Sequence, residues 1–226
     1  MRSRKKSQGA VGLLLVFIVG LGVPAVALED EILVINEVLA DPATDWDGDG
    51  VIDAKGDEWI EIINVSNAPV NIGNWWLRDL AGDNPDLHLS GMLDPGEARV
   101  FYGSEAVAWQ ESQGLSTTGF SLNNTGDIVK LLRTIPGTED PDRPGFPLLE
   151  LLYSISYDDH EAEDDRSNGW NMDFSDWVLF DGLNPYGGER DPVGTGCAPT
   201  PGWTESCPGL VPTETHSFGS VKALYR

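Results

Sequence analysis

Between Asp45 and Glu58 the chain reads DWDGDGVIDAKGDE, a stretch whose oxygen-bearing side chains recur at a spacing able to hold a cation. Asp45, Asp47 and Asp49 stand at alternate positions, Gly50 follows where a sharp turn is needed, Val51 can offer its main-chain carbonyl, and Asp53 comes next. Carboxylates crowded into so short a loop repel one another, and a hard divalent ion with oxygen ligands relieves that repulsion. Calcium suits the pattern, because it accepts many oxygens in a flexible shell. Magnesium suits it less well, since it demands a small octahedral shell and gives up its water reluctantly. The expected metal ligands are therefore Asp45, Asp47, Asp49, Val51 and Asp53, with Asp57 or Glu58 closing the shell, and the expected cofactor is Ca2+.

The spacing reproduces positions 1, 3, 5, 6, 7 and 9 of the calcium loop of EF-hands, and resembles the D-x-D-x-D-G segments of dockerins and thrombospondin repeats. It departs at position 12, where Gly56 replaces the bidentate Glu, so the closing carboxylate comes one or two residues late. The flanks depart too, since Ile32–Ile35 and Trp59–Ile63 read as strands rather than helices. A full EF-hand is not expected on that ground. The displaced closing residue predicts weak affinity, with a dissociation constant on the order of 10⁻⁴ to 10⁻³ M.

Other chemistry is thinly represented. The three histidines, His88, His160 and His216, lie in separate segments without a paired ligand at helical spacing. His160 stands inside DDHEAEDD, which reads as a solvated acidic loop after a strand. No Gly-x-Ser-x-Gly elbow or phosphate-cradling glycine motif occurs. No catalytic residue is assigned and the chain is expected not to be an enzyme. The alternative is a small secreted metal-dependent hydrolase, a nuclease or phosphodiesterase, that uses the acidic loops to hold a cation.

The frame around these residues is that of an exported protein. The basic start MRSRKK runs into an apolar stretch, Ala10–Val23, and then into Ala25-Val26-Ala27, so residues 1–27 read as a signal peptide. The apolar core is shorter than the roughly 20 residues of a spanning helix, and no second long apolar run follows, so no membrane span is expected after signal removal. No cysteine follows the segment closely enough to carry a lipid anchor. Without residues 1–27 the chain keeps ten basic residues against 37 acidic ones, a net charge of about −27 that repels nucleic acid and anionic lipid. Cys197 and Cys207 stand in a Pro/Gly-rich segment and, in an oxidising compartment, should pair in a disulfide that closes a small loop.

The elements that must position the acidic loop are mostly strands. Ile32–Ile35, Trp59–Val65, Arg99–Tyr102, Asp127–Leu132, Tyr153–Tyr157 and Trp177–Phe180 carry β-formers, and turn formers such as Asp94-Pro95-Gly96 and Asn123-Asn124-Thr125-Gly126 separate them. Only SEAVAWQESQ reads as helix, with Ser104 as its cap. Many short strands and frequent turns imply an all-β, two-sheet sandwich. From Asn184 the composition shifts to Gly, Pro, Thr and Ser, which predicts an irregular arm over 184–226. Its last residues, HSFGSVKALYR, are basic, and could form a docking or sorting tag or a frayed end.

VINEVLADP (Val34–Pro42), DEWIEIINVS (Asp57–Ser66), IGNWWLRD (Ile72–Asp79), LDPGEARVF (Leu93–Phe101) and GFSLNNTGDIVKLL (Gly119–Leu132) occur in the order found in bacterial lamin-tail domains. The resemblance spans about residues 31–181. It implies an immunoglobulin-like β-sandwich over residues 28–183 and a non-catalytic accessory or adhesive module, secreted or held at the cell envelope. The expected partner is an envelope or extracellular protein or glycan whose identity the sequence does not give, and the chain is expected as a monomer or part of a surface assembly. One of Trp75 and Trp76 should plug the core while the other lies partly exposed. Asn74 stands where the family has Gly, at a turn expected to be left-handed. The segment Thr134–Pro147 is longer than the family's hairpin turn.

Overall fold

The computed structural model describes residues 33–80, 86–171 and 176–202. The expected signal peptide over residues 1–27, Cys207 and the HSFGSVKALYR tail lie outside them. Among the described residues are eleven strands and one α-helix: β1 Leu33–Leu39, β2 Trp59–Asn64, β3 Val70–Asn71, β4 Trp75–Arg78, β5 Leu87–His88, β6 Met92–Leu93, β7 Ala98–Tyr102, α1 Gly103–Ser112, β8 Gly126–Thr134, β9 Leu149–Asp158, β10 Ser167–Asn171 and β11 Asp176–Phe180. One sheet runs β11-β10-β1-β2-β7 and the facing sheet β5-β4-β8-β9, with β3-β6 as a small pair. Every pairing between these strands is antiparallel. The expected all-β sandwich of immunoglobulin-like kind is the architecture found.

Alternation explains the core. Ile60 and Ile62 of β2, Leu33, Ile35 and Val38 of β1, Leu77 of β4, and Val129 and Leu131 of β8 point inward and are fully buried around Trp75, Phe101 and Phe120. Each such side chain contributes roughly 1.5–3 kcal/mol by leaving water. The break in the β1 alternation is a bulge between Ile35 and Glu37, which carries the strand four residues beyond its expected end. Glu37 then lies on the outer face beside Glu61, and both are buried there by the arm: Thr200 Oγ1 donates to Glu37 at 2.7 Å and the Gly202 N–H donates to Glu61. Burial outweighs these hydrogen bonds and raises the Glu37 carboxyl above its usual range; burial and then Glu37 push Glu61 up to about 7.

Three local expectations change. Trp76 is buried like Trp75: it stacks on His88 at 3.9 Å, meets Trp109 edge-on and donates to Thr134 Oγ1 at 2.9 Å. Phe146, from the long 134–147 segment, packs on the same ring, so that segment covers the outer face of its sheet. Asn74 ends a short 3₁₀ turn, Ile72–Asn74, and the non-glycine residues at positive φ are Ser121 and Asp165 among the described residues. The helix starts at Gly103, not Ser104, and Glu105 serves it by accepting from the Tyr102 N–H at 3.5 Å.

Residues 184–202 contain no strand, yet they are docked. Thr195 donates to Leu179 O, Asp181 accepts from Tyr186 N and Gly196 N, and Cys197 is buried against Val178 and Phe180. No helix among the described residues is long and apolar enough to cross a membrane.

Candidate functional site

The acidic loop joins β1 to β2 at one end of the sandwich, and its shape is set by carboxylates that accept from its own backbone. Asp45 takes Gly48 N–H at 2.8 Å on Oδ1 and Gly50 N–H at 2.9 Å on Oδ2. Asp47 takes Asp49 N–H at 3.0 Å and Asp49 takes Val51 N–H at 2.7 Å. Such side-chain turns leave the next backbone unit free to curl back, and Gly48 and Gly50 take φ of +77° and +91° to do so. One carboxylate oxygen each from Asp45, Asp47 and Asp49 then lie within 4.8 Å of one another, at the surface.

Asp57 is the buried hub of the loop. Its Oδ1 accepts from Trp46 N at 2.6 Å and Asp47 N at 3.1 Å, and its Oδ2 accepts from Asp53 N at 2.9 Å. Asp53 turns to its own downstream backbone, accepting from Gly56 N at 2.6 Å and Lys55 N at 2.9 Å, and these bonds hold its carboxyl below the usual range. Val51 is exposed. Glu58 is held in the interior against Leu122 N at 3.3 Å, where burial pushes its carboxyl up to about 9. Of the seven expected ligands the structure therefore brings together Asp45, Asp47 and Asp49, closes the loop on Asp57, and places Glu58 in the core layer. The donor set, all oxygen and grouped on one turn, fits calcium.

The far end of the loop is pinned by a glycine. A Cβ on Gly103 would lie 1.7 Å from Lys55 O, so only glycine lets α1 begin against the loop backbone. Gly103 N–H donates to Glu58 O at 2.7 Å and Ser104 N–H to Gly56 O at 3.1 Å.

A family model for the lamin tail domain matches residues 30–142, half of the chain. The chain belongs to the lamin tail domain family. Lamin tail domains are immunoglobulin-like modules, generally without enzymatic activity. No curated protein matches the sequence. The matched residues hold the acidic loop and the strands β1 to β8. Strands β9, β10 and β11 fall beyond the matched residues of this lamin tail domain, yet they complete both sheets.

Beyond the matched residues stands a second acidic loop, 158–166, and here the expectation of a solvated loop is corrected. His160, Glu161, Ala162, Asp165 and Arg166 are buried. The reason is Asp165, at φ +52°, which reaches across to the first loop. It accepts from Ala43 N at 2.9 Å, Thr44 Oγ1 at 2.6 Å and Trp46 Nε1 at 2.8 Å. Arg166 in turn donates to His160 O at 2.9 Å and Asn184 O at 2.7 Å, tying the second loop to the arm. Sequence reasoning missed Asp165, because its partners lie about 120 residues away.

Between β9 and the β10–β11 hairpin runs a groove of about 1,070 Å³. Tyr153, Tyr157 and Trp177 line it, together with Asp158, Glu161 and Pro192.

Proposed function

We propose that this lamin tail domain protein is exported and serves as a binding or structural module of the cell envelope or extracellular space, with its 45–57 loop stabilised by calcium. The observation that carries the reading is the convergence of Asp45, Asp47 and Asp49 on a surface turn. Asp57 and Asp165 hold that turn in shape from beneath. Such a loop gains from an ion without using it for chemistry, since three neighbouring carboxylates, two half-buried and one exposed, are relieved of mutual repulsion when a cation sits among them.

The strong acidity supports a partner that is neither nucleic acid nor an anionic lipid surface. A protein or glycan partner has surface to meet. β9 is the free edge of its sheet, and Leu151 and Leu152 on it are 55% and 41% exposed. The leader and the Cys197–Cys207 disulfide belong to the same reading. Thiol titration of the unfolded, unreduced protein is expected to find no free cysteine.

Calorimetric titration with calcium, joined to thermal melts, tests the loop. Millimolar calcium should raise the melting temperature, and at ten times the dissociation constant it should stabilise the fold by about 1.4 kcal/mol by mass action. Asp47→Ala combined with Asp49→Ala should abolish that increment. A wild-type melting temperature unmoved by millimolar calcium removes the calcium part of the reading. An activity screen with DNA, RNA and phosphodiesters, with and without divalent ions, tests the rest: turnover lost on changing His160 or Asp159 would replace the module with a hydrolase.

A further inference from the structure

The second acidic loop carries a site of different chemistry. Asp158 to Ala162 form one tight turn, in which Glu161 N–H donates to Asp158 O at 3.2 Å and Ala162 N–H to Asp159 O at 3.3 Å. Glu161 Oε2 closes the turn by accepting from Asp158 N at 2.6 Å. His160 sits inside it, 3% exposed, with its ring against Tyr186 at 4.9 Å. A ring nitrogen of His160, an oxygen of Asp158 and an oxygen of Glu161 lie within 4.8 Å of one another.

The histidine's two nitrogens are differently placed. Nε2 lies 3.3 Å from Pro192 O, and a carbonyl can only accept, so Nε2 carries the proton. In the neutral ring Nδ1 then offers a lone pair, and it is buried without a hydrogen-bond partner. A buried acceptor left in that state is rare in folded proteins. The arrangement is that of a metal-binding imidazole, which commonly donates its second N–H to a backbone carbonyl and so fixes tautomer and ring orientation.

We infer that Asp158, His160 and Glu161 bind a divalent d-block cation of the zinc type. One imidazole nitrogen and two carboxylate oxygens make three protein ligands for a tetrahedral ion and leave its fourth position open. The nitrogen separates this site from the all-oxygen 45–57 loop, since calcium takes oxygen ligands. The two carboxylates offset the charge of the ion. The nearby guanidinium of Arg190 is held by Asp159 at 2.7 Å. Asp158 and Glu161 also line the groove between β9 and the β10–β11 hairpin. The inference stands apart from the calcium reading, because the two sites share no residue.

The test uses the full chain, stripped with chelator and held in saturating calcium, titrated with zinc by calorimetry and by nitrogen-15 NMR of the histidine rings. The chain has three histidines, so their ring signals can be told apart. One zinc should bind per chain, and the His160 Nδ1 resonance should shift with it while those of His88 stay in place. Glu161→Gln should weaken zinc binding at least tenfold and His160→Gln should abolish it. The Asp47→Ala, Asp49→Ala double variant should bind zinc as the wild type does. Should His160→Gln fail to fold, the wild-type NMR titration decides alone. Zinc that leaves the His160 ring signals unmoved, or that is lost with Asp47 and Asp49 instead of Glu161, overturns the inference.

Discussion

The loops 45–57 and 158–166 are both acidic runs between strands, and they are solvated in opposite ways. In the first, Asp45, Asp47 and Asp49 spend their oxygens on N–H groups two to five residues ahead, and the loop stays at the surface. In the second, Asp165 spends both oxygens on a loop about 120 residues away, and His160, Glu161 and Arg166 are drawn under cover with it. Carboxylates that bond locally shape a turn; those that bond at a distance fasten elements together. Composition alone does not tell the two apart, because the number of acidic residues says nothing about where their acceptor oxygens are aimed.

The largest effect should come from cutting the link between the loops. Asp165→Ala removes three hydrogen bonds to a buried carboxylate and replaces a residue that tolerates positive φ with one that tolerates it less well, so a loss of about 3–4 kcal/mol is expected by urea denaturation. Trp46 fluorescence should report solvent entry at the same time. Stability within 1 kcal/mol of wild type would show that the second loop does not fasten the first. Gly103→Ala comes next, at about 3 kcal/mol or less, because the helix and the Lys55 carbonyl must move apart. Hydrogen exchange at Ser104 and Gly103 should quicken. Unchanged exchange would show that the contact is loose in solution.

The strands that alternate were legible in the sequence. Trp59–Val65, Arg99–Tyr102 and Trp177–Phe180 lie close to where period two and β-formers put them, and the Pro95-Gly96 turn has Gly96 at φ +79°. β10 was not legible, since Ser167-Asn168-Gly169-Trp170-Asn171 looks like a turn; Ser167 finds its partner on the neighbouring strand instead, its Oγ donating to Glu37 Oε1 at 2.5 Å. The site was legible where it is local. Asp45, Asp47 and Asp49 converge as their spacing requires, whereas the choice between Asp57 and Glu58 depends on which face of one strand end turns inward. The second loop was illegible for the same reason as β10: long-range hydrogen bonds leave no periodic trace.

pH offers a way to read the interior carboxyls separately from the surface ones. Burial raises Glu58 to about 9 and, with Asp79 beside it, Asp86 to about 8. A carboxyl raised on folding binds its proton more tightly in the native state. Its contribution is therefore complete below the ordinary carboxylate range and is lost as pH climbs towards the raised value. Melting temperature should accordingly fall between about pH 5 and pH 9 in calcium-free buffer. Glu58→Gln should flatten the slope while leaving the low-pH melting temperature near that of wild type. A slope unchanged by Glu58→Gln would assign the pH dependence to the other buried carboxyls, Asp86 and Glu61 among them.

The smallest effect sharpens the contrast most. Asp47→Asn with Asp49→Asn keeps both side-chain acceptors for Asp49 N–H and Val51 N–H, and removes only two surface charges that repel their neighbours. Exposed charges interact weakly across water, so in calcium-free buffer the stability should change by about 0.5 kcal/mol or less, in the stabilising direction, and high salt should erase the gain. Adding millimolar calcium should then leave the variant where it was while raising the wild type past it. That crossing separates charge from shape: the loop's fold needs only neutral acceptors at 47 and 49, and its response to calcium needs the charge. A variant that loses more than 1 kcal/mol without calcium would mean that these aspartates, like Asp165, hold structure, and that the two loops differ less than their burial implies.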